Sequence, residues 1–241
     1  MTTDTTGRTR ARTQQQKSDR RKGILEAAEG QFRKSGFEGF SMGVLARDAG
    51  VAKGTLYLYF KTREEVLLAL YNAQLVCWCA ELTGSITAEM NDQAFAGLFF
   101  KTMRRDPVFL QLLARLDSVI EHNVSFEALV ESKKLMIEQL QQVSPKLQEC
   151  LGLSAAAVFD LVSGFAALML GAQQSDSGPS LDADKLPADV VALVESFAAE
   201  KLFVTNACRI LRGIRSDYGA GAPAPSKALR TSRSSSQGSK P

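Results

Sequence analysis

Between Asp19 and Arg215 the apolar residues of this chain recur at helical spacing, and nearly every run opens on a helix-capping residue. Val-, Ile- and Thr-rich stretches with period-two alternation are absent, as are Asn-Gly hairpin signals. A chain patterned this way has no sheet to build, so its apolar stripes must bury against one another. The predicted class is all-α, with about nine helices: a three-helix unit at the N-terminal side and a larger helical body behind it. At 241 residues, 45% of them hydrophobic, the chain can form a core without disulfide or metal staples.

The first helix is predicted from about Asp19 to Lys34, with Ile24, Ala27, Ala28 and Phe32 as its stripe and Gly36 as its stop. The second is short, capped by Ser41 and ended by Gly50. The third spans about Ala52 to Phe60. The fourth opens on a capping box, Thr62 with Glu65, and runs toward Leu82, with Gly84 ending it. Further helices follow: about Asn91 to Met103; Asp106 (N-cap, with Pro107 behind it) to about His122; and one from Ser125 that Pro145 kinks or ends. Two more run from Ser154 to about Gln173 and from Ala188 to Arg215, separated by a Gly/Pro/Asp-rich loop, Ser175 to Pro187. Residues 1–17 and 219–241 lack apolar periodicity and are expected to be disordered. The division is a basic arm 1–17, a domain 18–67, a body 68–218 and a tail 219–241.

Charge is distributed unevenly. Residues 1–22 hold seven Lys/Arg against two aspartates, and 216–241 hold four against one. Residues 23–70 balance at six of each sign, whereas 71–215 hold twelve basic against seventeen acidic residues. Basic arms on an acidic body suit a polyanion near one end, or serve only as solvated tails.

Ala46, Gly50 and Leu56 supply what two helices meeting across a tight turn require. Ala46 is small where the helices cross, Gly50 suits a left-handed turn position, and Leu56 returns to the core. The flanking stretch Val51-Ala52-Lys53-Gly54-Thr55-Leu56-Tyr57-Leu58-Tyr59-Phe60-Lys61-Thr62-Arg63-Glu64-Glu65-Val66 closely resembles the signature of the TetR family of bacterial transcriptional regulators. Phe32, Gly36-Phe37 and Phe40-Ser41-Met42 match in order and spacing as well. The resemblance covers residues 20–67.

The resemblance implies a helix-turn-helix domain that binds double-stranded DNA. Lys53, Gly54 and Thr55 would open the recognition helix in the major groove, Gly54 allowing close backbone approach and Thr55 meeting a base edge or a thymine methyl. Tyr57 and Tyr59 would donate to phosphates, although aromatics at helical spacing also suit a core. Lys61 and Ser41 would add phosphate contacts near helix N-termini. Leu56 and Phe60 belong to the core. Leu58 departs from the family, where many relatives carry a polar or aromatic residue, often His; it either packs on thymine methyls or leaves that contact unmade. The arm residues Arg8, Arg10, Arg12, Lys17, Arg20, Arg21 and Lys22 suit a neighbouring minor groove or the phosphates.

For the larger part, the resemblance implies a regulatory domain that forms a homodimer and often binds a small-molecule effector. Ala157, Gly164 and Gly171 recur every seven residues, and Val190, Val194, Phe197 and Val204 begin a heptad-like seam in the last helix. These residues are expected at a dimer interface or buried within one protomer. Trp78, Phe99, Phe100, Met103, Phe109 and Phe126, with His122, are expected either to line an apolar effector pocket or to be core.

Other classes are disfavoured. No nucleophile–base pair, P-loop or dinucleotide fingerprint is present, and His122 is the single histidine, so neither catalysis nor a metal or cofactor site is expected. The four cysteines form no pair of C-x-x-C knuckles. Residues 1–22 lack the apolar segment of a secretory signal, and no uninterrupted apolar run of ~18 residues suggests a membrane span. The expectation is a cytoplasmic DNA-binding regulator, probed below against a DNA-binding protein of the same fold controlled by a protein partner or by abundance.

Overall fold

The computed structural model describes residues 5–175 and 186–218, with side chains described from Gln14 onward. Among the described residues every regular element is helical. The α-helices are α1 (Thr5–Gly39), α2 (Met42–Asp48), α3 (Lys53–Tyr59), α4 (Arg63–Ser85), α5 (Asp92–Arg105), α6 (Pro107–Arg115), α7 (Phe126–Leu151), α8 (Ala155–Ser175), α9 (Ala188–Ser196) and α10 (Ala199–Asp217). A π-helical turn, Leu116–Ile120, and a 3-10 turn, Glu121–Asn123, link α6 to α7.

The predicted caps form. Side-chain oxygens of Ser41, Thr62, Asp106, Ser125 and Ser154 accept from the first-turn amides of α2, α4, α6, α7 and α8, and Asn91 caps α5 in the same way. Gly36 interrupts α1 with φ 64° and ψ −169°. Gly152 ends α7 at φ 64°, donating its N–H to the Gln148 carbonyl.

Three expectations are corrected, and one of the two outcomes left open at Pro145 is excluded. The first helix begins at Thr5 rather than near Asp19, so residues 5–17 are helical. Their Arg, Gln and Lys residues favour a helix against the weaker Thr and Gly7 among them, and Gln15 Nε2 donates to Asp19 Oδ1 at 2.8 Å along the helix. The helix after Asp106 stops at Arg115 and continues only as the π and 3-10 turns. Pro145 does not end α7: burial of Val143, Leu147 and Leu151 holds the helix together around the missing N–H. The last predicted helix is two, α9 and α10, parted at Phe197–Ala198, which raises the total to ten among the described residues. Residues 1–4, most of the 175–187 loop and the tail 219–241 lie outside the described residues.

Ile24, Ala28, Phe32, Leu45, Ala46, Leu56 and Phe60 form the core of the N-terminal domain. In the larger part an aromatic network fills the interior. Tyr71 stacks on Phe109 at 5.7 Å, Phe109 lies 5.6 Å from Trp78, and Trp78 meets Phe99 edge-on at 5.2 Å. From Phe99 the network continues to Phe165 at 5.1 Å and Phe203 at 5.9 Å, tying α4, α5, α6, α8 and α10 together. Burying side chains of this size stabilises by roughly 1.5–3 kcal/mol each. The helices α4 and α8 are long and apolar enough to cross a membrane by length and composition, and both contribute to this core.

Candidate nucleic-acid interface

The turn between α2 and α3 is held by backbone geometry that only its glycine adopts easily. Gly50 sits at φ 63°. Its N–H donates to Arg47 O at 3.1 Å, while Val51 N–H reaches Ala46 O at 2.9 Å. That pair of bonds is a Schellman closure, with Gly50 in its left-handed position. Ala46, 5% exposed, lets α3 pack close, and Leu56 anchors α3 from the inside with no exposed surface.

Anchoring α3 by Leu56 turns its other residues outward. Lys53 and Gly54 are exposed at its first turn, where the N-cap Ala52 offers no side-chain partner to the free backbone amides. Thr55 is half-buried. Tyr57 is 43% and Leu58 79% exposed, so neither is core. Tyr59 is half-buried against the core edge, and Phe60 is fully inside. A Cβ at Gly54 would meet nothing within 4 Å. This bareness leaves the backbone open to close approach.

Lys61 is exposed just before α4, and its N–H donates to Glu65 Oε2 at 2.7 Å. Thr62 Oγ1 accepts from Glu65 N–H at 3.1 Å, so the Thr62–Glu65 pair closes the α4 start with the carboxylate on the amide of Lys61, one residue before the N-cap. Ser41, also exposed, accepts from Val44 N–H at 3.3 Å, while its carbonyl takes the Gln31 amide at 3.3 Å. Ser41, Lys53, Gly54, Thr55, Tyr57, Leu58, Tyr59 and Lys61 are therefore all at least partly accessible on the α2–α3–α4 start.

The capping box reaches further than the sequence indicates. Thr62 Oγ1 also donates to Asn123 O at 3.0 Å, and Ser125 N–H reaches Glu65 Oε1 at 3.4 Å. Arg63 and Arg115 place their guanidiniums 4.6 and 5.7 Å from the Phe37 ring. Arg33 pairs with Asp106. The DNA-binding unit is thus tied to the α6–α7 region by polar contacts that span 60 or more positions. The box itself has a local signal; its partners across the junction have none.

The other expected residues divide. Trp78, Phe99, Phe100, Met103 and Phe109 come together, but as packed core of 8% exposure or less. Trp78 Nε1 donates to Thr102 Oγ1 at 3.2 Å within it. Tyr71, Phe165 and Phe203, not expected there, complete the cluster. His122 is exposed in the 3-10 turn and Phe126 is 75% exposed at the start of α7, so these two do not join the interior. Burial raises the pKa of Tyr71 and pushes the Cys79 thiol up to about 12, so both stay neutral inside α4.

Of the expected interface set, Ala157 is fully buried within the protomer and Gly164 faces Ile210 of α10, 3.6 Å from its Cβ position. Gly164 thus serves close packing of α8 on α10 inside one chain. Gly171 is exposed, Val190 is half-buried, and Val204 packs at the edge of the core. Val194 and Phe197 are 46% and 56% exposed, and Phe159 and Leu193 join them as large apolar residues facing outward on α8 and α9.

Comparison with known proteins agrees with this geometry. Residues 24–70 match "Bacterial regulatory proteins, tetR family", and residues 72–181 match "Tetracyclin repressor-like, C-terminal domain". The uncharacterized HTH-type transcriptional regulator YhgD of Bacillus subtilis is 26% identical over 133 residues, 55% of this chain and 63% of that protein. The "Fatty acid metabolism regulator protein" of Bacillus subtilis is 36% identical over 52 residues, 22% of this chain and 27% of that protein. The chain thus spans less than two thirds of the length of either relative. Among solved structures, the multidrug binding protein EbrR complexed with imidazole superposes with a TM-score of 0.52 at 17% identity, covering 86% of this chain and 97% of that one. That likeness concerns the fold. With the N-terminal domain and residues 72–181 of the helical body both matched, and the helix-turn-helix formed, the chain belongs to the TetR family of bacterial transcriptional regulators.

Proposed function

We propose that this regulator is a homodimeric, cytoplasmic repressor that binds a palindromic operator through α3 and is released by a small apolar or amphipathic effector. The observation that carries the DNA-binding role is the outward face of α3. Lys53, Gly54, Tyr57 and Leu58 are exposed around an anchor, Leu56, that is wholly buried. Thr55 and Leu58 address base edges and methyls, while Ser41, Tyr57, Tyr59 and Lys61 address phosphates. Two such helices in a dimer would meet half-sites ~34–36 Å apart. The outward Phe159, Leu193, Val194 and Phe197 support a second subunit on the α8–α9 side.

Release is a population shift. An effector that prefers one arrangement of the body moves the two α3 helices off the half-site spacing. The Thr62–Asn123 and Glu65–Ser125 contacts give such a shift a route to α4 and hence to α3. One relative is a regulator of fatty acid metabolism, which makes fatty acids and their thioesters the first effector class to try.

One observation favours a second reading, in which a protein partner or abundance controls the same fold. The rings of Tyr71, Phe109, Trp78 and Phe99 already pack against one another, so an effector must open that network to enter. The test is to select duplexes from a random pool and titrate the bound complex with a long-chain acyl-CoA. Recovery of a palindrome, two subunits per duplex, and release coupled to a change in Trp78 emission support the first reading. A palindrome bound without release or emission change supports the second. No selected sequence overturns both.

A further inference from the structure

The N-terminal portion of α1 has no task inside the fold. Ile24 is its first buried residue, and every described side chain from Gln14 to Gly23 is exposed. A helix from Thr5 to Gly23 extends the domain by roughly 27 Å at ~1.5 Å per residue. A helix that is polar all round gains little from burial.

This extension is not isolated from the recognition surface. An open groove runs between it and the α2–α3 end, lined by Lys17, Asp19, Arg20, Gly23, Ala49 and Tyr59 on its two sides. Lys17, Arg20 and Gly23 follow one another at steps of three, so they form one ridge of the helix. Gly23 leaves the groove floor bare, with nothing within 4 Å of its Cβ position. Tyr59, a proposed phosphate donor at the end of α3, forms the opposite wall. Arg21 lies 5.0 Å over the Phe60 ring, which pins this stretch of α1 beside α3.

The two groove cations are uncommitted. Among the described residues neither Lys17 nor Arg20 forms an ion pair, whereas Lys22 approaches Glu26 at 3.8 Å and Arg33 is paired twice. The one groove carboxylate, Asp19, accepts from Gln15 on its own helix. Beyond Lys17 the same helix carries Arg8, Arg10 and Arg12 in sequence. By contrast, residues 23–70, which contain the helix-turn-helix, have balanced charge.

We propose that this groove seats the sugar-phosphate backbone of DNA, with Lys17 and Arg20 on successive phosphates next to the one held by Tyr59. The proposal rests on the DNA-binding reading above and adds a second contact element to it. The occupant follows from two observations: the groove shares its Tyr59 wall with α3, and its two cations, Lys17 and Arg20, form no ion pair among the described residues. The extension carries that track past the base pairs that α3 reads, by about five phosphates' worth of helix between Lys17 and Thr5 at ~1.5 Å per residue against ~3.4 Å per phosphate. Affinity then derives largely from α1 and sequence selection from α3.

The experiment compares the full-length protein with a Lys17→Ala/Arg20→Ala variant on a mixed-sequence duplex, by fluorescence anisotropy over a salt series. The slope of log K against log salt is expected to fall in magnitude by about 1.8 per bound subunit, at ~0.9 per phosphate neutralised. Lys17→Arg/Arg20→Lys is expected to keep the wild-type slope, and Asp19→Asn to tighten binding. Unchanged helicity and urea midpoint exclude misfolding as the cause. An unchanged slope in the alanine variant overturns the proposal while leaving the α3 reading intact. An unchanged slope with an altered mass by light scattering also overturns it, and assigns the groove to a second copy of the chain. A wild-type protein that binds no duplex overturns the DNA reading itself.

Discussion

Asp106 uses one carboxylate to cap α6 and to hold Arg33 of α1. Its Oδ1 accepts from Val108 N–H at 2.9 Å and from Arg33 Nη1 at 3.1 Å, and Oδ2 takes the second guanidinium nitrogen. Glu29 completes the clamp on Arg33, and the hydrogen bonds to Asp106 and Glu29 raise the guanidinium's pKa, which keeps it charged. Asp106→Asn keeps a capping oxygen but removes the charge, whereas Asp106→Ala removes both. Urea melts are expected to show a loss of about 1–2 kcal/mol for the alanine variant and less than half of that for asparagine. Equal losses would mean that the cap contributes nothing.

Gly50 and Gly54 are four positions apart and predict opposite outcomes. At Gly50, φ 63° strains any residue with a Cβ, so Gly50→Ala is expected to cost about 1–2 kcal/mol. Gly54 is helical with open space around it, so Gly54→Ala is expected to stabilise the fold by roughly 0.5–1 kcal/mol. Its cost falls on DNA instead, because the added methyl stands where the backbone would approach. Thermal melts and anisotropy on a selected duplex check the two halves separately.

The legible parts of this molecule are those fixed within a few residues. The Gly50 turn, the Thr62–Glu65 box and the Ser125 cap each follow from local hydrogen-bond chemistry. What spans the chain was hidden. Trp78, Phe99 and Phe109 have the composition of a pocket and of a core alike, and no local pattern announces that Phe165 and Phe203 arrive from α8 and α10 to pack on Phe99. Phe126 and Phe197 carry the same apolar signal yet stand in solvent. The α1 extension shows no apolar stripe, so periodicity cannot separate it from a disordered arm. The break at Phe197–Ala198 falls between residues that are compatible with a continuous helix, and so leaves no mark.

Thr55 and Lys61 separate the two kinds of DNA contact. Thr55→Ala is expected to weaken binding to a selected operator more than to a mixed-sequence duplex, by about 1–3 kcal/mol in the difference. Lys61→Ala is expected to weaken both equally and to lower the salt slope by ~1. Equal loss for Thr55→Ala on both duplexes would remove Thr55 from base reading, and an unchanged slope would remove Lys61 from the phosphates.

Asp92 gives the fold a pH dependence of defined sign. Both of its oxygens accept from Arg215, at 2.6 and 2.7 Å, and Arg215 also donates to Leu151 O at 3.2 Å, joining α5, α7 and α10. Hydrogen bonding to Arg215 holds the Asp92 carboxyl below its usual range. A lowered folded pKa contributes stability that is fully present above the unfolded value of about 3.9 and is lost as pH falls through the folded one. Asp92→Asn is therefore expected to cost about 1 kcal/mol at pH 7, because the pair is partly exposed. The gap between variant and wild type is expected to close progressively below about pH 4. A gap that persists at pH 2 in urea melts would show that packing, not the ion pair, is what the substitution removed.

Trp78 is the single tryptophan of the chain, and its indole N–H has one acceptor, Thr102 Oγ1 at 3.2 Å. Thr102 in turn donates to Phe99 O at 3.1 Å, so its hydroxyl satisfies two buried groups at the centre of the aromatic network. Thr102→Val preserves shape and deletes both bonds. It is expected to destabilise the fold by about 1–3 kcal/mol, because the indole N–H is left buried without a partner. Thr102→Ser restores the hydroxyl and is expected to recover most of the loss, less the missing methyl. Urea unfolding followed by Trp78 emission reads both variants. If valine is neutral while serine destabilises, the methyl packing of Thr102 matters and its hydroxyl does not. The network would then be held by ring contacts alone, and a polar effector group reaching Trp78 would meet an N–H already lacking a strong partner.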